Sequence, residues 1–317
     1  MTTTLLPTPD AATTASSPST LVDVRHLEKR YGPTAVVQDV SFHVVEGEIF
    51  GLLGTNGAGK TTTVEILQGL RRATRGSVDV LGFDPARSGD RLRRLIGAQL
   101  QEAALPDRLR VGEALRLFAS LHPAPRPLSD LADEWSLGDL WRRPFGALSG
   151  GERQRLFVAL ALIGRPRIVF LDELTQNLDP VGRRRTWEVV RQIRATGTTV
   201  VLVTHDVEEA ERLCDRIVVL HRGRVVADGT PASIVDSLGG ATTVTFTDPS
   251  IELRSIRHLP GVRQVRRRGG QVEVVGSGPV LAHVGARLVA LDRPPLDLQA
   301  RRPTLEDRFV ALTEEAS

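Results

Sequence analysis

The segment Gly54-Thr55-Asn56-Gly57-Ala58-Gly59-Lys60-Thr61 constrains this chain more than any other. It matches G-x-x-x-x-G-K-[ST] and follows the apolar run Gly47-Glu48-Ile49-Phe50-Gly51-Leu52-Leu53. The helix-like stretch Thr61-Thr62-Thr63-Val64-Glu65-Ile66-Leu67 comes next. A strand, a glycine-rich turn and a helix in that order make an anion cradle. The glycines let backbone N–H groups turn inward, and the helix N-terminus adds a partial positive charge. Lys60 supplies a mobile cation for the β- and γ-phosphates, and the Thr61 hydroxyl can ligate Mg2+. Gly54 to Thr62 are therefore expected to hold a nucleotide.

Composition sharpens the case for Lys60. Of 41 basic residues only Lys29 and Lys60 are lysine. In a chain that otherwise uses arginine, a slim ammonium suits a tight backbone cradle that a planar guanidinium fork fits poorly. Lys29 has no role that the sequence explains.

With 317 residues the chain is long enough for one large domain or two ordinary ones. Ile168-Val169-Phe170-Leu171 and Thr198-Thr199-Val200-Val201-Leu202-Val203 are short and apolar on both faces, as buried parallel strands are. Arg183 to Arg194, between them, has the pattern of a polar-faced helix. Strands alternating with helices predict an α/β sheet with its chemistry at the strands' carboxyl ends. Residues 1–20, with 13 Thr, Ser or Pro, are expected to form a flexible tail rather than a secretory signal. The longest uninterrupted apolar run, Leu156 to Gly164, is about half of the ~18 residues a membrane helix needs. A lone Cys214 cannot close an intrachain disulfide, which fits a reducing cytosol. A net charge of +3 does not indicate broad nucleic-acid binding. The character changes at Leu238-Gly239-Gly240, and residues 238–317 read as a small α+β appendage. Within it we expect a strand over 242–246, a helix over 251–259, a hairpin around Arg268-Gly269-Gly270, a helix over 280–291 and a strand near 296–300. Thr304 then has the pattern of an N-cap, with Glu306 and Asp307 in the first turn.

Two further motifs carry chemistry. Ile168-Val169-Phe170-Leu171-Asp172-Glu173 ends a buried strand in two carboxylates. Because adjacent strand side chains point to opposite faces, the pair can divide labour. Asp172 would hold Mg2+, and Glu173 would orient or deprotonate an attacking water. In Leu148-Ser149-Gly150-Gly151-Glu152-Arg153-Gln154-Arg155, Ser149 reads as an N-cap with Glu152 completing a capping box.

These motifs together resemble those of ATP-binding-cassette (ABC) ATPases over residues 21–237, Ser149-Gly150-Gly151-Glu152 matching the family's signature. The resemblance implies a P-loop NTPase fold of the ABC type. Its parts would be a RecA-like core sheet, an N-terminal antiparallel β region and a helical subdomain over about 102–164. It further implies that Tyr31 stacks on adenine and that Gln101 senses Mg2+ and the membrane partner. Asn177-Leu178-Asp179 would form the D-loop, with Asp179 at the nucleotide, and His205 would contact the γ-phosphate. Leu174 stands where most members have Pro after the catalytic Glu, and Asn177 where Gly is usual.

In this family two cassettes form a head-to-tail sandwich, each phosphate loop facing its partner's signature. One chain carries one of each, so two sites require two chains, and a second copy of this one is the expected partner. The motif order and the ending Pro303-Thr304-Leu305-Glu306-Asp307-Arg308-Phe309 resemble the bacterial drug- and antibiotic-export branch. That branch implies ATP and Mg2+ as cofactors, a separate membrane permease as partner, and a place on the cytoplasmic face of the membrane. A soluble ABC ATPase acting on nucleic acid or ribosomes, and an importer ATPase, are the alternatives. The first is disfavoured because the chain has one cassette, one cysteine and no long heptad run.

Overall fold

The computed structural model describes residues 19–99, 104–176, 178–237, 242–301 and 303–315. The long hairpin β1 (Thr20–Tyr31) and β2 (Thr34–Val45) precedes β3 (Ile49–Gly54) and α1 (Lys60–Leu67). Then come β4 (Arg75–Val80), α2 (Pro85–Leu92), β5 (Ile96–Gln99) and three helices, α3 (Val111–Ala119), α4 (Leu128–Glu134) and α5 (Gly150–Leu162). The chain continues through β6 (Ile168–Asp172), α6 (Pro180–Ala195), β7 (Thr199–Thr204), α7 (Val207–Leu213), β8 (Arg216–His221), β9 (Arg224–Gly229) and α8 (Pro231–Asp236). Its last part holds β10 (Thr242–Thr247), α9 (Arg254–Arg257), β11 (Val262–Arg268), β12 (Gln271–Gly276), α10 (Val280–Ala290), β13 (Gln299–Arg301) and α11 (Leu305–Glu315).

A six-stranded sheet ordered β5-β6-β7-β3-β8-β9 organises the larger, N-terminal part. Its first five strands are parallel and β9 closes the edge as an antiparallel hairpin partner. Alternation along each strand sorts the apolar side chains into two cores. Phe50 and Leu52 of β3, Phe170 of β6, Val201 and Val203 of β7, and Val218 and Leu220 of β8 face a core shared with the sheet β2-β1-β4. Phe42 of β2 stacks on Phe50 across it, with ring centroids 5.2 Å apart. Ile49, Leu53, Val169, Leu171, Val200, Leu202, Ile217 and Val219 point the other way, into a core completed by the helices α3 to α7. Trp135, 1% exposed, anchors the α4 region there.

The last part has a core of its own. An antiparallel sheet β11-β12-β10-β13 buries Val244, Phe246, Val265, Val272 and Val274 against Ile256 of α9 and Val280, Val284 and Leu288 of α10. The helix expected over 251–259 is a single turn, because Asp248 caps the backbone N–H groups of Ser250 and Ile251 and so shapes an Asx turn at its start. The strand expected near 296–300 lies at Gln299–Arg301, where it pairs with β10. Thr304 and Asp307 bond reciprocally at the start of α11. That helix leaves the second sheet and packs on α7 and α8, with Leu305 and Leu312 inside the core that α3 to α7 complete. The C-terminal residues thus stabilise the helix that follows β7. Leu305→Ala should cost about 2–5 kcal/mol of unfolding free energy in the full chain, measured by urea denaturation. An unchanged midpoint would mean that α11 is not docked.

Candidate functional site

The phosphate loop leaves the carboxyl end of β3 at the middle of the sheet. Its shape follows from close backbone contacts. A Cβ on Gly54 would stand 2.4 Å from the Leu220 carbonyl oxygen, and one on Gly59, at φ 98°, 2.7 Å from that of Val36. The Arg222-Gly223 turn closes the far side, where Gly223 N–H donates to the Ala58 carbonyl at 3.0 Å and Gly223 C=O accepts from Gln38 N–H at 2.7 Å. Thr55, Asn56 and Gly57 are exposed at the rim, Ala58, Gly59 and Lys60 are buried, and Thr61 is exposed in the first turn of α1 with Thr62 half-buried beside it.

Lys60 is 5% exposed. Its ammonium donates to the carbonyl oxygens of Gly54 at 2.7 Å and Thr55 at 3.2 Å. Burial lowers its pKa, while the charges of Glu173 and Asp172 pull it back up. Asp172 ends β6, 6% exposed, and its Oδ1 has no hydrogen-bond partner among the described residues. Burial and the neighbouring Glu173 push its pKa up to about 6, against the pull of Lys60. A buried, orphaned carboxylate oxygen beside a phosphate cradle has the chemistry of a ligand to Mg2+ or to its water. The residues present fit that ion.

Glu173 departs from simple strand alternation. The strand ends at Asp172 and Glu173 turns to φ 49°, a left-handed conformation that costs a non-glycine residue about 1–2 kcal/mol. The charges of both carboxylates favour the protonated form of Lys60. The turn is held by Glu173 N–H donating to the Val203 carbonyl at 2.9 Å. The Glu173 side chain is 7% exposed, and its Oε1 lies 3.1 Å from His205 Nδ1. His205 follows β7 directly, and Asp206 after it caps α7 through the Glu209 N–H.

Tyr31 ends β1, 41% exposed, on the hairpin whose β2 lays Val36 and Val37 against Gly59. Lys29 has a local role here. Its ammonium donates to the Arg72 carbonyl at 2.8 Å and sits 5.0 Å from the Tyr31 ring centroid, with the Arg71 guanidinium at 5.7 Å. These cations hold the ring against β4's approach segment.

The signature occupies a different place. Ser149 caps α5, accepting from Glu152 N–H at 3.4 Å while Glu152 accepts from Ser149 N–H at 2.7 Å. That backbone donor lowers the Glu152 pKa, and Arg143 pairs with the same carboxylate at 3.0 Å. A Cβ on Gly150 or Gly151 would meet nothing within 4 Å, so no side chain crowds the first turn at these two positions. Asp179 caps α6 through Gly182 N–H at 2.6 Å. Ser149 to Glu152 and Asp179 share one depression of about 450 Å3 that no phosphate-loop residue lines. Gln101 and Asn177 lie outside the described residues.

Two supporting groups, Gly223 and Gln154, were not picked out by motif. Gly223 meets the phosphate loop only through the β8–β9 pairing, and an Arg-Gly between two apolar strands was its one available cue. Gln154 of α5 bonds to Leu174 and Thr186, which lie 20 and 32 positions away. A separate apolar groove of about 480 Å3, lined among others by Leu70, Leu105, Phe118, Leu121 and Phe157, opens beside α3 and α5. Trp141 instead packs on Gly112.

Behind His205, Glu209 is fully buried. Burial raises its pKa, and Thr204, Thr175 and Trp187 nearby offset only part of that effect. The folded chain therefore keeps this proton where the unfolded chain has released it, and the fold loses stability as pH rises above the ordinary value of 4.5. Glu209→Gln should gain in melting temperature relative to the parent from about pH 5 to about pH 8. A difference that is flat or shrinks with pH would contradict this.

Comparison with known proteins finds a match to the family model described as "ABC transporter" over residues 37–176. The chain is 36% identical to the daunorubicin resistance ATP-binding protein DrrA3 of Streptomyces coeruleorubidus, over 93% of this chain and 96% of that one. It is also 36% identical to the Nod factor export ATP-binding protein I of Burkholderia pseudomallei (strain K96243), over 92% and 96%. Among solved structures it resembles an ATP binding subunit of an ABC transporter, with 32% identity, a TM-score of 0.63 and coverage of 69% of this chain and 93% of that one.

Proposed function

The chain belongs to the ABC transporter ATP-binding family, and from that premise we propose that it is the ATP-hydrolysing subunit of an exporter whose cargo is a drug, an antibiotic or another small hydrophobic compound. One observation carries the catalytic reading: Lys60, Asp172, Glu173 and His205 converge at the carboxyl ends of β3, β6 and β7. The phosphate loop and Lys60 bind the β- and γ-phosphates, and Tyr31 stacks on adenine. Thr61, Gln101 and Asp172 would hold Mg2+, which would offset phosphate charge. Glu173 takes a proton from the attacking water as its oxygen bonds to the γ-phosphorus and the bond to the bridging oxygen breaks. His205 orients Glu173 and contacts the γ-phosphate.

The separation of the phosphate loop from the signature supports a head-to-tail pair. Ser149, Gly150, Gly151 and Glu152 of one copy, with Asp179, complete the other copy's site, because the uncrowded first turn of α5 can approach a γ-phosphate. Among the described residues no helix is long and apolar enough to cross a membrane, so transport requires a separate permease. The apolar groove beside Phe118 and Leu121 is the surface it would grip, at the cytoplasmic face of the membrane. Export is supported by relatives whose likeness covers 93% and 92% of this chain.

Glu173→Gln should retain ATP binding, trap the closed dimer on size-exclusion chromatography and lower phosphate release by at least about 100-fold. Unchanged phosphate release would sink the role of Glu173. Copurification of a multi-helix permease from detergent-solubilised membranes should accompany the parent chain, and recovery of ribosomes in its place would overturn the transport reading.

A further inference from the structure

We propose that Gln154 is a positioning residue for the catalytic carboxylate, tying the signature helix of each chain to its own Glu173. Gln154 lies on α5, half-buried, five residues beyond the N-cap Ser149, and lines the same depression as the signature glycines. Its amide works from both ends. Nε2 donates to the Leu174 carbonyl at 3.2 Å, and Oε1 lies 3.0 Å from the Thr186 hydroxyl, whose one proton it shares with the Gly182 carbonyl at 3.0 Å. Thr186 is 3% exposed and lies on α6, the helix that Asp179 caps. One side chain therefore joins three segments: the signature helix, the backbone just after Glu173, and the helix that starts at Asp179.

The attachment point matters because of how Glu173 is held. Its left-handed φ of 49° is a conformation that a non-glycine residue keeps only when its surroundings impose it. On the amino side, the Val203 carbonyl fixes the Glu173 N–H at 2.9 Å. On the carboxyl side, the Glu173 carbonyl accepts from Gln176 N–H at 3.2 Å within the loop; Leu174 has no ring to set its own φ, and Gln154 holds the Leu174 carbonyl, one peptide further on, from outside the loop. With the peptide before Glu173, its own carbonyl and the next carbonyl all held, the carboxylate stays aimed at His205. A shift of α5 when a nucleotide meets the signature would pass through this amide to the base. Proximity alone does not make a coupling path, so the test must isolate the effect on Glu173.

This inference rests on Glu173 being the base. The experiment is steady-state phosphate release by the full chain with Gln154→Met, which keeps the volume without either hydrogen bond, and Gln154→Glu, which keeps the acceptor and loses the donor. Both should lower kcat about 10- to 100-fold, as a small misplacement of a catalytic group does, with KM for ATP within about 3-fold. In the Glu173→Gln background, Gln154→Met should leave ATP-dependent dimer trapping unchanged. Thr186→Val, which frees the amide to rotate, should lower kcat less, and its effect should not add to that of Gln154→Met. It decides the matter if the Gln154 variants do not fold. An unaffected kcat, a rise confined to KM, or loss of trapping in the double variant would overturn the proposal. A parent chain that turns over beside unaffected variants refutes this inference alone, whereas a parent that releases no phosphate refutes the hydrolase reading beneath it.

Discussion

The Lys60 ammonium sits 5% exposed beneath the phosphate loop, and a cation that deep needs partners on every side. Two backbone carbonyls hold it from the loop, and the charges of two carboxylates at the end of β6 favour its ammonium form. Each of those groups is awkward without the others. Asp172 carries an orphaned oxygen, Glu173 a left-handed backbone, and Gly54 and Glu173 depend on carbonyls of β8 and β7 that only a parallel sheet brings near. The Lys60 charge offsets part of the like-charge repulsion between Asp172 and Glu173. The arrangement stores unmet electrostatic demand where a magnesium-bound polyphosphate would satisfy it.

The central sheet makes that concentration of charge possible. Five parallel strands are apolar on both faces and split into two cores by strict alternation, so the polar groups gather at the strand ends. The core on one side extends into α11, which places the far end of the chain against the helix after His205. The C-terminal sheet, with its separate core, is joined to the catalytic part through that helix as well as through the chain itself. Changes in the last part of the protein therefore have a physical route to the β7 end of the site.

Legibility in the sequence followed the range of the interaction. The strand-turn-helix of the phosphate loop, the Ser149 capping box and the Thr304 cap are set by residues close in sequence, and all three local shapes formed as read, although Val36 and Gly223 close the loop from afar. The buried strands around Asp172 and before His205 were legible from apolar runs. The short α9 was not, because Asp248 reshaped a helix-like run from outside it. The strand rule for Asp172 and Glu173 failed at its last residue, where Val203 of the neighbouring strand bends Glu173 out of the sheet. Lys29 had no meaning until Arg72 and Tyr31 came beside it.

Sequence alone determined the ligand class, the family resemblance and the residue types at each step of the chemistry, since glycine spacing, capping boxes and apolar runs act over a few residues. Tertiary structure decided what those residues do to one another. It put Lys60 within the field of two carboxylates, kept the signature away from its own phosphate loop, and set Gln154 between α5, α6 and the peptide after Glu173. The physical reason is common to all three. Burial, orphaned oxygens and backbone strain arise from partners tens to more than a hundred positions apart, and only packing brings them within hydrogen-bond range.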